Sequence, residues 1–325
     1  MATSTIRRFS RAAAALAVSG ALLFAAACGA QAPSSSSNSS KATDSPTVKA
    51  SGAIDASAYD KLIDAGEVAD DATIKANQWA SAVKKAGVLK VGGTKTSQLF
   101  SLQSPDDNKV RGFDAGLSQL LARYILGKAN TELSVVDSST RETVLTNGTV
   151  DAVFATYSIT DERKQKIDFA GPYYVSQQGI LVAEDNNDIK SVKDLSGKKV
   201  GVQAGSTGPE IVKKEAPDAT VQEFQTDSEL VQALTQGRID AYVVDQTLVL
   251  GDVSKNPGKV KSVGDPFGPS DPYGIGLPKD SDAADFVNAW LKKIEKDGTW
   301  AKLWKISIGD RTGVTKTPEA PAIEQ

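Results

Sequence analysis

The chain of 325 residues has no histidine and a single cysteine, Cys28. Without histidine there is no Ser-His-Asp triad, no imidazole general base and no His-based metal site. One cysteine forms neither an intrachain disulfide nor a cysteine metal cluster. No metal and no cofactor are expected from this inventory. An excess of positive charge is also missing: 37 Lys and Arg stand against 40 Asp and Glu, a net −3, which argues against a nucleic-acid surface. What remains is ordinary for a soluble globular chain, at 40% hydrophobic residues, and long enough for two domains.

The most informative stretch runs from Asp151 to Arg163 and on to Tyr174. It reads as a strand from Asp151 to Ala155, a polar loop, and a helix opened by Thr160, whose hydroxyl suits an N-cap. Asp161 and Glu162 fit a helix N-terminus, whereas the charge of Arg163 opposes the helix dipole there. A bound anion would account for Arg163, since a guanidinium matches a carboxylate two bonds at a time; pairing with Asp161 or a neighbouring surface carboxylate would as well. Thr156, Ser158 and the loop N–H groups would complete such an anion site. Leading into this stretch, Leu145-Thr-Asn-Gly-Thr-Val-Asp-Ala152 recurs as Leu234-Thr-Gln-Gly-Arg-Ile-Asp-Ala241. Each copy reads as a helix stopped at glycine, then a strand, which implies two α/β lobes of like topology. The strands end at Thr156 and Asp245, and ligands of open α/β sheets bind outside such carboxyl ends. An anion-binding loop facing a carboxylate suits a ligand with both a carboxylate and an ammonium group. Asp245 either caps the next helix or holds a cation.

From the start of the chain, Arg7, Arg8 and Arg11 precede an apolar run, Ala12 to Ala27, too short for a comfortable membrane span of about 20 residues. Residues 28–52 are rich in Ser, Ala, Pro and Thr and read as a disordered tether. Residues 53–86 show helical spacing and predict one or two helices. Lobe 1 spans 87–180 and 272–308, lobe 2 spans 181–271, and 309–325 form a loose tail. Lys95, after the first strand, faces either the crevice or solvent. Ser138 and Arg141 follow the strand Leu133–Val136, and Arg141 is a second basic residue at a helix start, with Glu142 or Glu132 as alternative partners. Lobe 2 opens with a strand and the loop Gln203 to Glu210, in which Gly205 and Gly208 allow close backbone approach. No Gly-Lys-Ser/Thr follows, so this is not a P-loop.

Several of these motifs carry family resemblances. The leader resembles a bacterial lipoprotein signal: residues 1–27 would be removed and Cys28 lipidated, although Ala25 stands where leucine is commoner. An ordinary secretory signal is the alternative. Gly112-Phe113-Asp114, Ser158-Ile-Thr-Asp-Glu-Arg163, Asp168-Phe169 and Pro172-Tyr173-Tyr174 resemble the polar amino acid group of solute-binding proteins that serve ABC importers. Gly116 departs from that pattern, where an acidic residue is usual. The resemblance covers roughly residues 86–308. It implies a type II periplasmic-binding-protein fold, two α/β lobes joined by two hinge strands, with no enzymatic activity.

The resemblance also implies roles. Arg163 takes the ligand's α-carboxylate, helped by Thr156 and Ser158, with Ser206, Thr207 and Gln203 contributing from lobe 2. Asp245 takes the α-ammonium. Ser138 and Arg141, with Lys95 as a third, look like the group that dicarboxylic amino acid binders use, which makes glutamate the expected ligand and aspartate the next. Expected partners are an ABC permease with its ATPase and the membrane through lipid on Cys28; an extracytoplasmic monomer is implied. A receptor docked to a membrane sensor, or an enzyme on the same scaffold, are the competing readings. If the leader is a lipoprotein signal, Cys28→Ser abolishes lipid attachment and releases the protein from the membrane fraction. Metabolic fatty-acid labelling and fractionation check this, and unchanged labelling would rule it out.

Overall fold

The computed structural model describes residues 52–314 and 316–323; the leader, Cys28 and the tether up to residue 51 lie outside them. Residues 53–86 form three helices rather than one or two: α1 (Ala56–Asp64), α2 (Asp71–Lys75) and α3 (Gln78–Ala86). Each begins at a side chain that accepts an early helical N–H, Asp55 from Ala58, Asp70 from Thr73 and Asn77 from Ala80. The caps explain the extra break, because Asp70 and Asn77 start new helices inside one apolar pattern. Tyr59, Ile63, Ile74, Trp79 and Val83 then enter the core of the first lobe.

Two sheets follow. A small one pairs β2 (Thr96–Ser97), β3 (Ser101–Gln103) and β4 (Val110–Arg111), which come after β1 (Leu89–Gly93). The chain continues through α4 (Phe113–Leu126), β5 (Thr131–Val135), α5 (Arg141–Thr146), β6 (Ala152–Ser158), α6 (Asp161–Lys164) and β7 (Asp168–Ala183). It then forms β8 (Lys199–Gln203), α7 (Gly208–Glu215), β9 (Thr220–Phe224), α8 (Asp227–Thr235), β10 (Ala241–Asp245) and α9 (Gln246–Lys255). It returns through β11 (Val260–Leu277) to α10 (Ala283–Lys296) and α11 (Thr299–Trp304). The large sheet has the order β5-β1-β6-β11-β7-β10-β8-β9. Its two central strands, β7 and β11, are antiparallel and run through both halves. Phe113, Leu121, Trp290 and Trp300 pack on one half; Val200, Val212, Val243 and, in a further cluster, Leu230 pack on the other. This is the two-lobed type II binding-protein fold, with two hinge strands.

The crossing strands β7 and β11 extend well beyond the short runs Ile180–Val182 and Tyr273–Leu277 within them. Their polar middles still pair, as Phe267 with Gln178 and Asp271 with Ser176. β6 likewise continues past Ala155, because Tyr157 and Ser158 pair with Gly274 and Tyr273 of β11. Thr156 and Ser158 are therefore strand residues, not loop residues. The segment after Gly309 is not loose where it begins: α12 (Asp310–Thr312) buries Arg311, whose guanidinium donates to the carbonyls of Gly52 and Gln98. Ala320 and Ile323 pack against the first lobe's core. The positive charge of Arg311 gave no sign of this, since its partners are backbone carbonyls remote in sequence.

The internal repeat has a physical basis. In both lobes a helix stops at a left-handed glycine, Gly148 with φ 70° and Gly237 with φ 69°. In both, the next aspartate reaches the start of the neighbouring parallel strand. Asp151 exchanges bonds with Lys90, accepting from its N–H at 2.8 Å and donating its own N–H to its carbonyl at 2.8 Å. Asp240 does the same with Lys199, at 2.7 and 2.8 Å. The shared aspartate thus sets strand register, and through it the positions of Thr156 and Asp245. Replacing Asp151 or Asp240 by alanine leaves a strand N–H without its partner. Both bonds are solvent-exposed, so a loss of about 0.5–1.5 kcal/mol is expected for each in urea denaturation, and no loss would contradict the register role.

Candidate functional site

The first half of the site sits at the end of β6. Thr156 has φ 42°, a left-handed conformation that a β-branched residue adopts only under constraint. The constraints are visible. Its N–H donates to Asp114 Oδ2 at 2.8 Å, while Asp114 Oδ1 accepts from the Tyr173 hydroxyl at 2.7 Å. The carbonyls of Ala155 and Thr156 accept from Arg141 Nη1 at 2.8 and 3.3 Å. Asp114 is buried on α4, and desolvation pushes its carboxyl up to about 7, against the bonds from Tyr173 and Thr156.

Arg141 opens α5 and is 3% exposed, so the surface pairing with Glu142 or Glu132 does not occur; Glu142 pairs with Lys166 instead. The guanidinium of Arg141 lies 4.0 Å from the centre of the Tyr157 ring, and that of Arg163 lies 5.1 Å from it. Both contacts are cation–π in kind. Burial, reinforced by the nearby charge of Arg163, lowers the Arg141 guanidinium to about 10, still cationic at neutral pH. Arg163 donates from Nη1 to the Ser158 carbonyl at 2.8 Å and from Nη2 to the Gly205 carbonyl of lobe 2 at 3.0 Å. Thr160 caps the short helix as expected, accepting from the Arg163 N–H. Among the described residues, neither guanidinium has a carboxylate within salt-bridge distance.

The carboxylates stand opposite, at the end of β10 and on β11. Asp245 precedes α9 but makes no side-chain cap bond. Its Oδ1 accepts from Gln178 Nε2 at 2.7 Å and its Oδ2 from the Tyr273 hydroxyl at 2.5 Å. Burial raises its carboxyl above the usual range. Asp271, 5% exposed, is in hydrogen-bonding contact with Asp245. Burial and the charge of Asp245 lift Asp271 to about 7, opposed by the Ser158 hydroxyl and Arg163. Two cations and two acids therefore face one another across a few side chains.

This charged cluster adjoins a cavity of about 590 Å³, within the range of small-molecule sites. Lys95, Ser138, Thr156 and Gln203 line it, so four of the ten predicted residues meet there. Ser158, Arg141, Arg163 and Asp245 form the neighbouring cluster instead. In lobe 2, Gln203 Nε2 donates to the Gln225 carbonyl at 3.1 Å, and Ser206 Oγ donates to the Gln203 carbonyl at 2.6 Å while accepting from Gly208 N–H. Thr207 stands at the N-cap of α7 without a side-chain cap bond. Gly205 has φ 71°, and a Cβ there would lie 2.8 Å from Ser139 Cα; only glycine lets lobe 2 approach Ser138–Ser139 so closely. Asp227 and Asp252 also line the cavity, and Asp227 accepts from the Tyr242 hydroxyl at 3.2 Å. A second cavity of about 540 Å³ surrounds Arg111, but there the guanidinium is already ion-paired with Asp60 and Asp107.

Sequence reasoning missed Asp271, Gln178 and Tyr273 as partners of Asp245. Asp271 falls at the predicted lobe boundary, and only the pairing of β11 with β7 places it over Asp245. Asp114 was recognised as part of a family motif without its task, which is to hold Thr156.

A two-lobed α/β fold, with paired guanidiniums facing paired carboxyls beside a cavity, is the architecture of a solute-binding protein. Residues 89–309 match the family described as bacterial extracellular solute-binding proteins, family 3, and the chain belongs to that family. It is 35% identical over 228 residues to the ABC transporter glutamine-binding protein GlnH of Bacillus subtilis, covering 69% of this chain and 82% of that one. It is 34% identical over 237 residues to the glutamate-binding protein GluB of Corynebacterium efficiens, covering 69% and 80%. A solved ancestral arginine-binding protein bound to glutamine superposes with a TM-score of 0.64 at 39% identity, over 69% of this chain and 98% of that one.

The raised carboxyl of Asp114 makes stability depend on pH. Its folded value, about 7, exceeds the ordinary 3.8, so its contribution is fully present below about pH 4 and is lost as pH rises through 7. Asp114→Asn removes this titration. Urea denaturation at pH 5 and pH 8 should show the variant gaining on the wild type as pH rises; a constant difference would mean that Asp114 is ionised throughout.

Proposed function

We propose that this protein is a lipid-anchored, monomeric extracytoplasmic receptor that captures an acidic amino acid, glutamate before aspartate, and hands it unchanged to an ABC permease and its ATPase. The observation that carries the reading is the pair of guanidiniums, Arg141 and Arg163, flanking Tyr157 with no carboxylate partner among the described residues. Two like charges side by side, that of Arg141 buried and that of Arg163 partly so, favour an anion, and an α-carboxylate on Arg163 supplies one. Asp245 supplies the matching acceptor for the α-ammonium. The spare Nε of Arg141, together with Ser138 and Lys95 on the cavity wall, suits a second carboxylate. The resemblance to GluB and to importer glutamine-binding proteins supports both the ligand class and the permease partner. Lobe 1 at 87–180 and 272–308 and lobe 2 at 181–271 would close around the ligand by bending in β7 and β11.

Glutamine is the second reading, and one placement favours it. Arg141 spends Nη1 on two backbone carbonyls behind the cavity wall, which leaves Ser138 and Lys95 as the polar groups nearest a distal amide. Neither reading needs an acid or base beyond those holding ligand, which separates this site from an enzyme's.

Calorimetric titration of residues 53–325, stripped of bound ligand, with glutamate, aspartate, glutamine and asparagine decides between them. Arg163→Ala should weaken every ligand by about 10- to 100-fold, the worth of one charged hydrogen-bond set. Arg141→Ala should weaken glutamate far more than glutamine. An unchanged glutamate-to-glutamine ratio would remove Arg141 from the specificity site, and no binding of any of the four would sink the ligand assignment.

A further inference from the structure

The pairing of Asp245 with Asp271 asks for an explanation that a single ammonium-binding carboxylate does not give. Asp245 and Asp271 are 9% and 5% exposed, and their side chains touch. Asp245 is well furnished, with Gln178 on Oδ1 and Tyr273 on Oδ2. Asp271 is not: its Oδ2 is buried without a hydrogen-bond donor. Two carboxylates in contact in a buried site do not both ionise; one keeps a proton, which the other accepts. The groups that face Asp271 come from four elements: Asp245 at the end of β10, Arg163 on α6, Ser158 on β6 and Tyr273 on its own strand. Arg141 on α5 acts on Asp245 from further away. None of these supplies a cation bonded directly to Asp271, and Arg163 is engaged with the carbonyls of Ser158 and Gly205.

We propose that Asp271 is a second acceptor for the ligand's ammonium group, and that Asp245 and Asp271 share one proton in the empty site and release it to solvent when the ammonium enters. The proposal rests on the assignment of Asp245 to the ammonium. The exchange is balanced: one shared proton leaves as one ammonium, with three N–H donors, takes its place. Before binding, the cluster holds two guanidinium charges against one carboxylate charge. After binding, the second carboxylate charge is stabilised by the ammonium beside it, and Asp271 Oδ2 gains the donor that it lacks. The near-neutral titration of Asp271 agrees with a proton that is present below neutrality and easily displaced. Its position matters as well, because β11 is a hinge strand: an ammonium bonded to Asp271 as well as Asp245 ties the end of β10 in lobe 2 to the strand about which the lobes would close.

The test is calorimetry of the tightest-binding amino acid in two buffers of different ionisation enthalpy, each from pH 6 to 8.5. The difference between buffers counts protons. Wild type should release most of one proton per ligand at pH 6 and progressively less above pH 7, with affinity rising toward neutrality by up to tenfold per unit. Asp271→Asn should bind more weakly and release none. Binding without proton release at pH 6, or equal release from Asp271→Asn, overturns the proposal while leaving the amino acid reading intact. A second measurement needs no ligand. Carboxyl carbon NMR of protein labelled at aspartate should show a group titrating near neutrality in wild type and absent from Asp271→Asn. The Asp114 signal persists in both as an internal reference. If every amino acid fails to bind, this titration still decides: its absence overturns the shared proton, and its presence supports it.

Discussion

Two positive charges held side by side, with no carboxylate at salt-bridge distance among the described residues, organise this molecule. Arg141 and Arg163 would repel each other in a bare interior, and the protein meets that cost with backbone carbonyls and the face of Tyr157 rather than with carboxylates. Carbonyl oxygens and an aromatic ring satisfy hydrogen-bond donors without neutralising charge. The site therefore keeps its positive charge, and the buried Nε of Arg141 is left without an acceptor. Much of the nearby architecture serves this arrangement: the strained Thr156 presents its carbonyl to Arg141, and Asp114 holds the opposite side of the same peptide region in place.

The duplicated unit explains how two lobes deliver chemically opposite groups to one cleft. In each lobe an aspartate fixes the register of a strand by bonding a residue near the start of its parallel neighbour, Lys90 in β1 and Lys199 in β8. Strand length from that anchor then decides which residue emerges at the carboxyl end. The same five-residue interval leads to Thr156, two residues before the end of β6, in one lobe and to Asp245, the last residue of β10, in the other. The scaffold repeats and the residue it presents differs, so on the proposed assignment anion and cation recognition would arise from one structural device.

Much of this was legible in the sequence. The glycine-stopped helices, the two strand ends and the out-of-place charge of Arg163 pointed to both halves of the site, because each is a local signal with a local cause. The polar middles of β7 and β11 were not legible: Ser176 to Gln178 and Gly264 to Ser270 lack an apolar pattern, and they pair only because their flanks are held in two lobes. Asp271 was hidden for the same reason, since its meaning lies in a partner across the sheet. Arg311 carried a charge whose buried environment is built from distant backbone carbonyls, and nothing in its neighbours announced that. The extra break between α2 and α3 was readable from Asp70 and Asn77, had capping residues been weighed above apolar spacing.

The bond from Arg163 to the Gly205 carbonyl turns recognition into an exchange. The lobes are linked through this guanidinium without any solute, so on the proposed assignment a ligand carboxylate would not find a vacant donor; it would replace a neutral oxygen with a charged one. What the protein would then measure is the difference between two acceptors competing for the same N–H groups. Weak hydrogen-bonding solutes would lose that contest however well they fill the cavity, and discrimination against them would need no steric barrier at all.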